Sequence, residues 1–228
     1  MAFNARTIAR GHKLLGLIVG IQLLFWTASG FFFTLYPIET IRGEHLRADA
    51  PALDLSALPA LAAPQLTNEA STAELRIVLG ELVWQVKSDT GLALYDTVTG
   101  APRPPLDAAD IRAYAESRWA GDGAISSASL VETPPREAFS ETPLWRVQFD
   151  GADTATFWID ADAARLVAVR TGKWRLFDAL WRFHIMDVTG DDRFDSWWLK
   201  VFAFLGLTTV LFGFALLIQR ASKGRLFS

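Results

Sequence analysis

The sequence predicts an α+β membrane protein, in which two transmembrane helices flank a water-exposed domain where an antiparallel sheet packs on a helix. Three observations lead to this fold class. One long uncharged stretch stands near each end of the 228-residue chain. All 25 acidic residues lie between Glu39 and Asp195. The acidic middle of the chain alternates apolar and polar residues around one segment with helical periodicity.

The first transmembrane helix is predicted over residues 14–36, which are 23 residues without a charge. At 1.5 Å rise per residue, this stretch matches the ~30 Å hydrocarbon core of a bilayer. A cleaved signal peptide is the alternative, because Arg6, Arg10 and Lys13 form a basic segment before it. The stretch is longer than the apolar part of a signal peptide, and its end carries bulky aromatic residues where a signal peptidase requires small ones.

The second transmembrane helix is predicted over residues 197–219, where Trp197 and Trp198 fit the aromatic belt of a membrane interface. Basic residues precede the first helix and follow the second, so both ends are expected in the cytoplasm. The segment between these basic ends has a net charge of −9. It is expected on the outer side, which is the periplasmic side of the inner membrane in a Gram-negative cell.

The outer domain is predicted from period-two alternation in seven short segments and one helical segment. Two hairpins in it have similar sequences, since Trp84 and Asp96 stand in the same context as Trp145 and Asp160. This repeat predicts two related half-domains, in one sheet or two. The predicted organisation is a cytoplasmic N-terminus (1–13), the first span (14–36), an outer linker (37–68), a first half (69–106), a second half (107–171), an amphipathic helix with an acidic turn (172–196), the second span (197–219) and a cytoplasmic tail (220–228).

Composition excludes several classes of protein. Nine Trp and sixteen Phe exclude a disordered chain, and a net charge of −3 excludes a strongly basic nucleic-acid-binding protein. The chain has no Cys, which excludes disulfides, thiolate metal sites and a cysteine nucleophile. No motif of a hydrolase or a nucleotide-binding enzyme is present. Imidazole chemistry is therefore limited to His12, His45 and His184.

Several short motifs together resemble the PepSY-associated transmembrane proteins. They are the run His12-Lys13-Leu14-Leu15-Gly16-Leu17, Ser29-Gly30 in the first helix, His184 ahead of the last helix, and two hairpin ends, Tyr95-Asp96-Thr97-Val98-Thr99-Gly100 and Trp158-Ile159-Asp160. The resemblance implies that the outer domain is PepSY-like. The chain departs from the family pattern in having Ala163-Ala164 where the second hairpin would carry Thr-Gly, and two spans where many members have four.

The resemblance also implies a cofactor. In four-span relatives linked to ferric-siderophore reduction, histidines at the ends of spans are thought to ligate haem, which makes His12 and His184 candidate ligands of haem b. The predicted topology places these two histidines on opposite sides of the bilayer, so they are not expected to share one iron. A haem would need His12 from two copies of a homodimer, or His184 together with His45. The alternative is that His12 is an ordinary interfacial residue.

The segment between Gly172 and His184 is predicted to be an amphipathic helix with Trp174 and Trp181 on its aromatic face. One interpretation is a helix lying on the outer membrane surface. The other is a wall for a flat ligand, haem or quinone, with His184 as its polar contact. The acidic turn that follows offers Asp187, Asp191, Asp192 and Asp195 as candidate oxygen ligands for a hard cation, or simply a solvated turn.

Three functions follow as expectations. The first is a non-enzymatic binding or regulatory module, accessory to iron or siderophore uptake, with the bilayer and a membrane or periplasmic protein, or a second copy, as partners. The second is a haem-binding subunit of a ferric reductase. The third is an inhibitor or chaperone of a periplasmic peptidase. Gly16 and Gly20 would allow close helix packing, either in a dimer or against the second span.

Overall fold

The computed structural model describes residues 5–50, 52–54, 56, 58, 60–66, 69–187, 189–190, 195–222 and 224. The chain divides into two compact units. The helical unit contains residues 1–37 and 176–228, and the α/β unit contains residues 38–175. This division agrees with the predicted separation of apolar ends from an acidic middle.

Two long helices form the helical unit, α1 (Ala5–Leu35) and α5 (Trp197–Ser222). Both predicted spans are confirmed as helices, and His12–Leu35 and Trp197–Ser222 are long and apolar enough to cross a membrane. Their contact is antiparallel, since Gly206 lies beside Val19 and Gly213 beside His12. No atom of the described residues lies near Gly16 or Gly20, so these glycines do not serve the contact with α5.

The described residues of the α/β unit include seven strands and several short helical segments. The helical segments include α2 (Ile38–Ile41), a 3₁₀ turn (Glu44–Leu46) and α3 (Ala108–Ser117), whose capping box at Asp107 fixes its start. The strands are β1 (Ala70–Val78), β2 (Glu81–Ser88), β3 (Gly91–Asp96), β4 (Ile125–Val131), β5 (Leu144–Phe149), β6 (Thr156–Asp160) and β7 (Arg165–Arg170). A second 3₁₀ turn (Arg136–Ala138) precedes β5, and α4 (Gly172–His184) follows β7. All the strands and helices predicted from periodicity are present.

The seven strands form two antiparallel sheets, with orders β1-β2-β3 and β4-β5-β6-β7. Both sheets contribute to one hydrophobic core around α3, which includes Val83 and Leu94 from the first sheet, Val147 and Ile159 from the second, and Ile111 from the helix. The halves therefore fold as one unit rather than as two separate domains.

Both hairpins of the predicted repeat are present, and their strands pair in matching register. Trp84 pairs with Tyr95 in the first half, and Trp145 pairs with Ile159 at the same place in the second. Each closing aspartate then accepts two backbone N–H groups of the following turn, Asp96 from Val98 and Thr99, and Asp160 from Asp162 and Ala163. The first strand of each half also shifts its register at the same point, between Ala70 and Thr72 and between Ile125 and Ser127.

The two copies turn opposite faces toward the shared core. Val83 and Leu94 of the first copy lie in that core. Their equivalents by register, Leu144 and Trp158, lie instead in a second, smaller cluster with Ala138 and Ala168. The sheets are thus stacked front to back around α3, with the 3₁₀ turn Arg136–Ala138 contributing to the cluster on the outer face of the second sheet.

Candidate functional site

The two copies differ in their fourth strand. In the second copy, β7 pairs with β6 from Asp160↔Arg165 to Thr156↔Arg170. In the first copy, the segment after Asp96 begins the same pairing, since Asp96 N–H donates to Ala101 and Arg103 N–H donates to Leu94, at 2.8 Å each. The pairing then stops at Pro104-Pro105, because proline has no N–H to donate. The chain leaves β3 at this point, and the N–H of Leu106 binds the carbonyl of Ala161 in the other half.

The position beside Leu92 is consequently an unfilled strand position. The backbone N–H and C=O groups of Leu94 and Asp96 point away from β2, toward the open edge of the sheet. Because this direction repeats at every second residue of a strand, the N–H and C=O of Leu92 point the same way. In the second copy the residue equivalent to Leu92 is Thr156, and Arg170 pairs with it. Opposite Leu92, register would place Pro105, which cannot complete the pair.

A groove of about 530 Å³ lies beside this unfilled position, between the two halves of the α/β unit. Leu92, Leu130 and Trp145 give it apolar walls, and Leu130 is 48% exposed. Three carboxylates also line it, Glu132, Asp160 and Asp162, and no basic side chain is among its described lining residues.

The carboxylates of the groove are unequal. Asp160 accepts two backbone N–H groups and lies 3.9 Å from the guanidinium of Arg165. Partial burial raises the pKa of Asp162, and the neighbouring charge of Asp160 raises it further. The electrostatics of the groove therefore favour a cation next to Asp162.

A second polar site lies in the helical unit, around His184 at the end of α4. The imidazole Nδ1 of His184 lies 2.8 Å from the hydroxyl of Ser29. That hydroxyl donates its single hydrogen to backbone carbonyls of α1, Phe25 at 2.7 Å and Trp26 at 3.2 Å. When the hydroxyl donates to these carbonyls it accepts from Nδ1–H, and in that tautomer the neutral imidazole keeps a lone pair on Nε2. No bond to Nε2 occurs among the described residues, so in this tautomer His184 is an oriented imidazole that could donate Nε2 to a metal.

Aromatic contacts hold α4 along the side of α1. The ring of Phe33 packs on Phe177, Trp181 and His184, with centroid distances of 4.7, 5.9 and 5.5 Å. The indole N–H of Trp26 donates to the carbonyl of His184 at 2.7 Å. The residues of α1 that His184 contacts, from Phe33 to Trp26, lie about 3 to 14 Å from the end of α1, at 1.5 Å per residue. The predicted helix is confirmed, but its aromatic face packs on α1, a contact that the interpretation as a free surface helix did not include.

His12 lies far from His184 along the same helix. From His12 to Ser29 are 17 residues, about 25 Å of helix, so the two imidazoles do not converge on one atom. The ring of His12 faces Gly213, and its Nδ1 is buried without a hydrogen-bond partner in the described chain. The predicted separation of these two histidines is therefore observed in the helical unit itself.

The remaining candidates, His45 and Trp174, belong to the α/β unit. The Nε2 of His45 lies 3.8 Å from a carboxylate oxygen of Asp153. Trp174 packs under the guanidinium of Arg170, 4.1 Å from its ring centre, and is nearly buried. Trp174 is thus a packing residue of this unit, whereas Trp181 contacts α1 in the helical unit.

The proposed acidic metal ligands are not gathered in the described chain. Asp187 is buried, accepts the N–H of Gly190 at 2.7 Å, and lies 3.7 Å from Nε of Arg182. Asp187 therefore stabilises the turn after α4, and Asp195 is exposed. Asp191 and Asp192 lie outside the described residues. No group of three or more His, Asp or Glu that could hold a metal occurs among the residues described.

Sequence reasoning missed two parts of these sites. The sequence singles out Ser29 only as part of the Ser29-Gly30 motif, although its hydroxyl lies 2.8 Å from Nδ1 of His184. The groove was not anticipated, although one signal was present: Pro102, Pro104 and Pro105 stand where the repeat requires a fourth strand.

Comparison with known proteins gives no relative. No protein-family model, curated protein or solved structure matches the chain.

Proposed function

We propose that the chain is a membrane-anchored, non-enzymatic binding module. Its α/β unit lies on the periplasmic side of a bacterial inner membrane, both termini are cytoplasmic, and the unit binds or regulates a partner protein. The groove beside the incomplete first sheet supports this proposal best, because exposed apolar walls next to an unfilled strand position are typical of a recognition surface.

The membrane anchoring is supported by the surfaces of α1 and α5. Their large apolar side chains point outward, with Leu17 65% and Ile218 67% exposed. A core helix of a soluble protein would bury such residues, whereas a lipid-facing helix exposes them. An accessory role in iron or siderophore uptake rests on the resemblance to PepSY-associated transmembrane proteins.

Photo-crosslinking in cells tests the binding function. A benzophenone side chain placed at Leu130, in the groove wall, is expected to yield a light-dependent adduct with a partner. The matched control is Val98, which is 72% exposed and outside the groove. Equal adducts from both positions, or none from Leu130, would contradict the proposal.

A second candidate function, a haem-binding subunit of a ferric reductase, is favoured by the orientation of His184. A neutral histidine that Ser29 holds through Nδ1 would offer Nε2 to a haem iron. A haem bound there would supply one-electron exchange. The residues of this chain would supply the Nε2 donor, with Ser29 keeping it in the required tautomer.

A visible spectrum of the full-length protein in detergent, with added haemin and then dithionite, separates the two candidates. A Soret band that shifts on reduction and is lost in His184→Ala would support the haem function. Ser29→Ala should weaken haemin binding, while Thr27→Ala should not, because the Thr27 hydroxyl only bonds Leu23 of its own helix. A spectrum without a Soret band would remove this candidate and leave the first.

A further inference from the structure

We propose that the groove binds an extended peptide segment carrying a basic side chain, which pairs with Leu92 at the open end of β3 and continues the pairing that residues 101–103 begin. This inference rests on the proposed binding function and names the class of partner. It starts from the comparison of the two copies, since one sheet has four strands and the other has three with the beginning of a fourth.

Backbone geometry provides the first argument. Among the described residues, the outward N–H and C=O of Leu92 have no partner equivalent to the one that Thr156 finds in Arg170. A buried or half-buried backbone group without a partner is unfavourable, and an added strand supplies both a donor and an acceptor. Strand addition to a sheet edge is a general way of binding extended peptides, in which the backbone gives affinity and alternate side chains give specificity.

The prolines explain why the chain does not fill the position itself. Arg103 is the last residue of the segment that pairs with β3, and Pro104-Pro105 ends the pairing. The N–H of Leu106 is then bound to Ala161. The departing segment is therefore anchored to the other half, and the space that it vacates adjoins the groove that Pro105 and Leu106 help to line.

The charge of the groove provides a second, independent argument and indicates the charge of the partner. Glu132, Asp160 and Asp162 line the groove without a basic lining residue, and Arg165 is the cation near Asp160. An extended peptide alternates its side chains between two directions. A lysine or arginine on one side can reach Asp162, while apolar side chains meet Leu130 and Trp145.

Fluorescence anisotropy on the full-length protein in detergent tests this inference. The probe is a short labelled peptide alternating valine and lysine, and its control alternates valine and glutamate. We expect only the lysine peptide to bind. Asp162→Asn should weaken it about tenfold, as expected for loss of one charge-assisted contact. Glu74→Gln removes the same charge from an exposed position outside the groove, and should leave the affinity unchanged.

Backbone pairing is tested on the peptide, so the protein need not be altered. N-methylation of alternate residues blocks hydrogen bonds on one side of the peptide only. One methylated register should abolish binding and the other should preserve it. Equal effects of both registers, equal affinity in Asp162→Asn and Glu74→Gln, or no binding of the lysine peptide would overturn the inference.

The outcomes remain separable from those of the proposed function. If Leu130 crosslinks a partner in cells but no peptide binds, the binding function stands and the strand-addition inference fails. A dimer of the purified chain that Asp162→Asn disrupts would place a second copy in the groove, and would also overturn the inference.

Discussion

Gly100 and Ala164 occupy the same place in the two copies, four residues after the closing aspartate. Both have positive φ, 73° and 45°, a backbone region in which only glycine is unstrained. Ala164 is fully buried in the shared core. A Cβ at Gly100 would instead collide with the carbonyl of Ala63. The second site therefore has room for the methyl group of an alanine, and the first site does not.

Gly100→Ala is therefore expected to destabilise the α/β unit by about 3 kcal/mol, from backbone strain and collision together. Gly80→Ala is the matched control, because Gly80 has a similar φ of 82° and open space around it. Its expected cost is about 1 kcal/mol. Urea unfolding followed by tryptophan fluorescence measures both, and equal losses would contradict the assigned collision.

Glu137 gives stability that depends on pH. Burial alone would raise the pKa of Glu137, but two hydrogen bonds from Arg175, at 2.8 and 2.9 Å, and its positive charge outweigh burial and lower the pKa. A carboxyl with a lowered pKa stabilises the fold above its unfolded pKa of about 4.3, and this stabilisation is lost as the pH falls through the folded-state value.

We expect Glu137→Gln to reduce the free energy of unfolding by about 1 kcal/mol at pH 7, a value reduced for the exposure of Arg175. The difference from the natural protein should shrink as both are acidified toward pH 3, since the natural carboxyl then becomes protonated. Urea titrations at a series of pH values measure this, with exposed Glu141→Gln as the control. A difference that stays constant with pH would contradict the role of the carboxylate charge.

At the scale of elements, period-two patterns were sufficient to predict the strands and the repeat of the two hairpins. Each copy buries one face of its strands, so apolar and polar residues alternate along each strand. This alternation can be seen within a short stretch of sequence. The end of the fourth strand in the first copy was not predicted, because it depends on which residue stands opposite Leu92. Such register information becomes available only when the two copies are aligned by their observed pairs.

The packing of α4 on α1 could not be predicted for a different reason. An aromatic stripe along an amphipathic helix has the same sequence pattern whether it faces lipid or another helix. The hydrogen bond between Ser29 and His184 joins residues 155 positions apart, and neither has a local signal that names the other. The candidate imidazole was therefore predictable, but its orientation was not.

The packing of these two helices can be tested by crosslinking, since the chain has no natural cysteine. Phe33→Cys combined with Phe177→Cys should react efficiently with a short bis-maleimide, because the two rings are 4.7 Å apart. Phe31→Cys combined with Phe177→Cys is the control, as Phe31 is 65% exposed on α1. The shift in gel mobility should appear only with the first pair, and equal reaction of both pairs would contradict the contact.

At the scale of the whole molecule, the distribution of charged residues along the chain was sufficient to predict the division into apolar helices and an acidic unit. The two apolar helices coincide with the uncharged stretches near the two ends of the chain, and the α/β unit coincides with its acidic middle. The proposed topology follows from the basic residues at both ends.

Single cysteines should report this topology in intact cells. Val98→Cys, on the surface of the α/β unit, should react with a maleimide that crosses the outer membrane but not the inner membrane. Ser222→Cys, at the end of α5, should react only after the inner membrane is broken. Labelling of both before lysis, or of Ser222→Cys alone, would contradict the proposed orientation.

The front-to-back stacking of the two sheets has a consequence for assembly. A contact between unlike faces has no twofold axis to close it, so a third copy could in principle be added in the same way, as in a solenoid of repeats. The face that such a copy would need carries Leu144 and Trp158, and Ala138 from the 3₁₀ turn packs in the cluster there. The 3₁₀ turn thus occupies the face that a third repeat would need, in the place that a terminal cap takes in a solenoid.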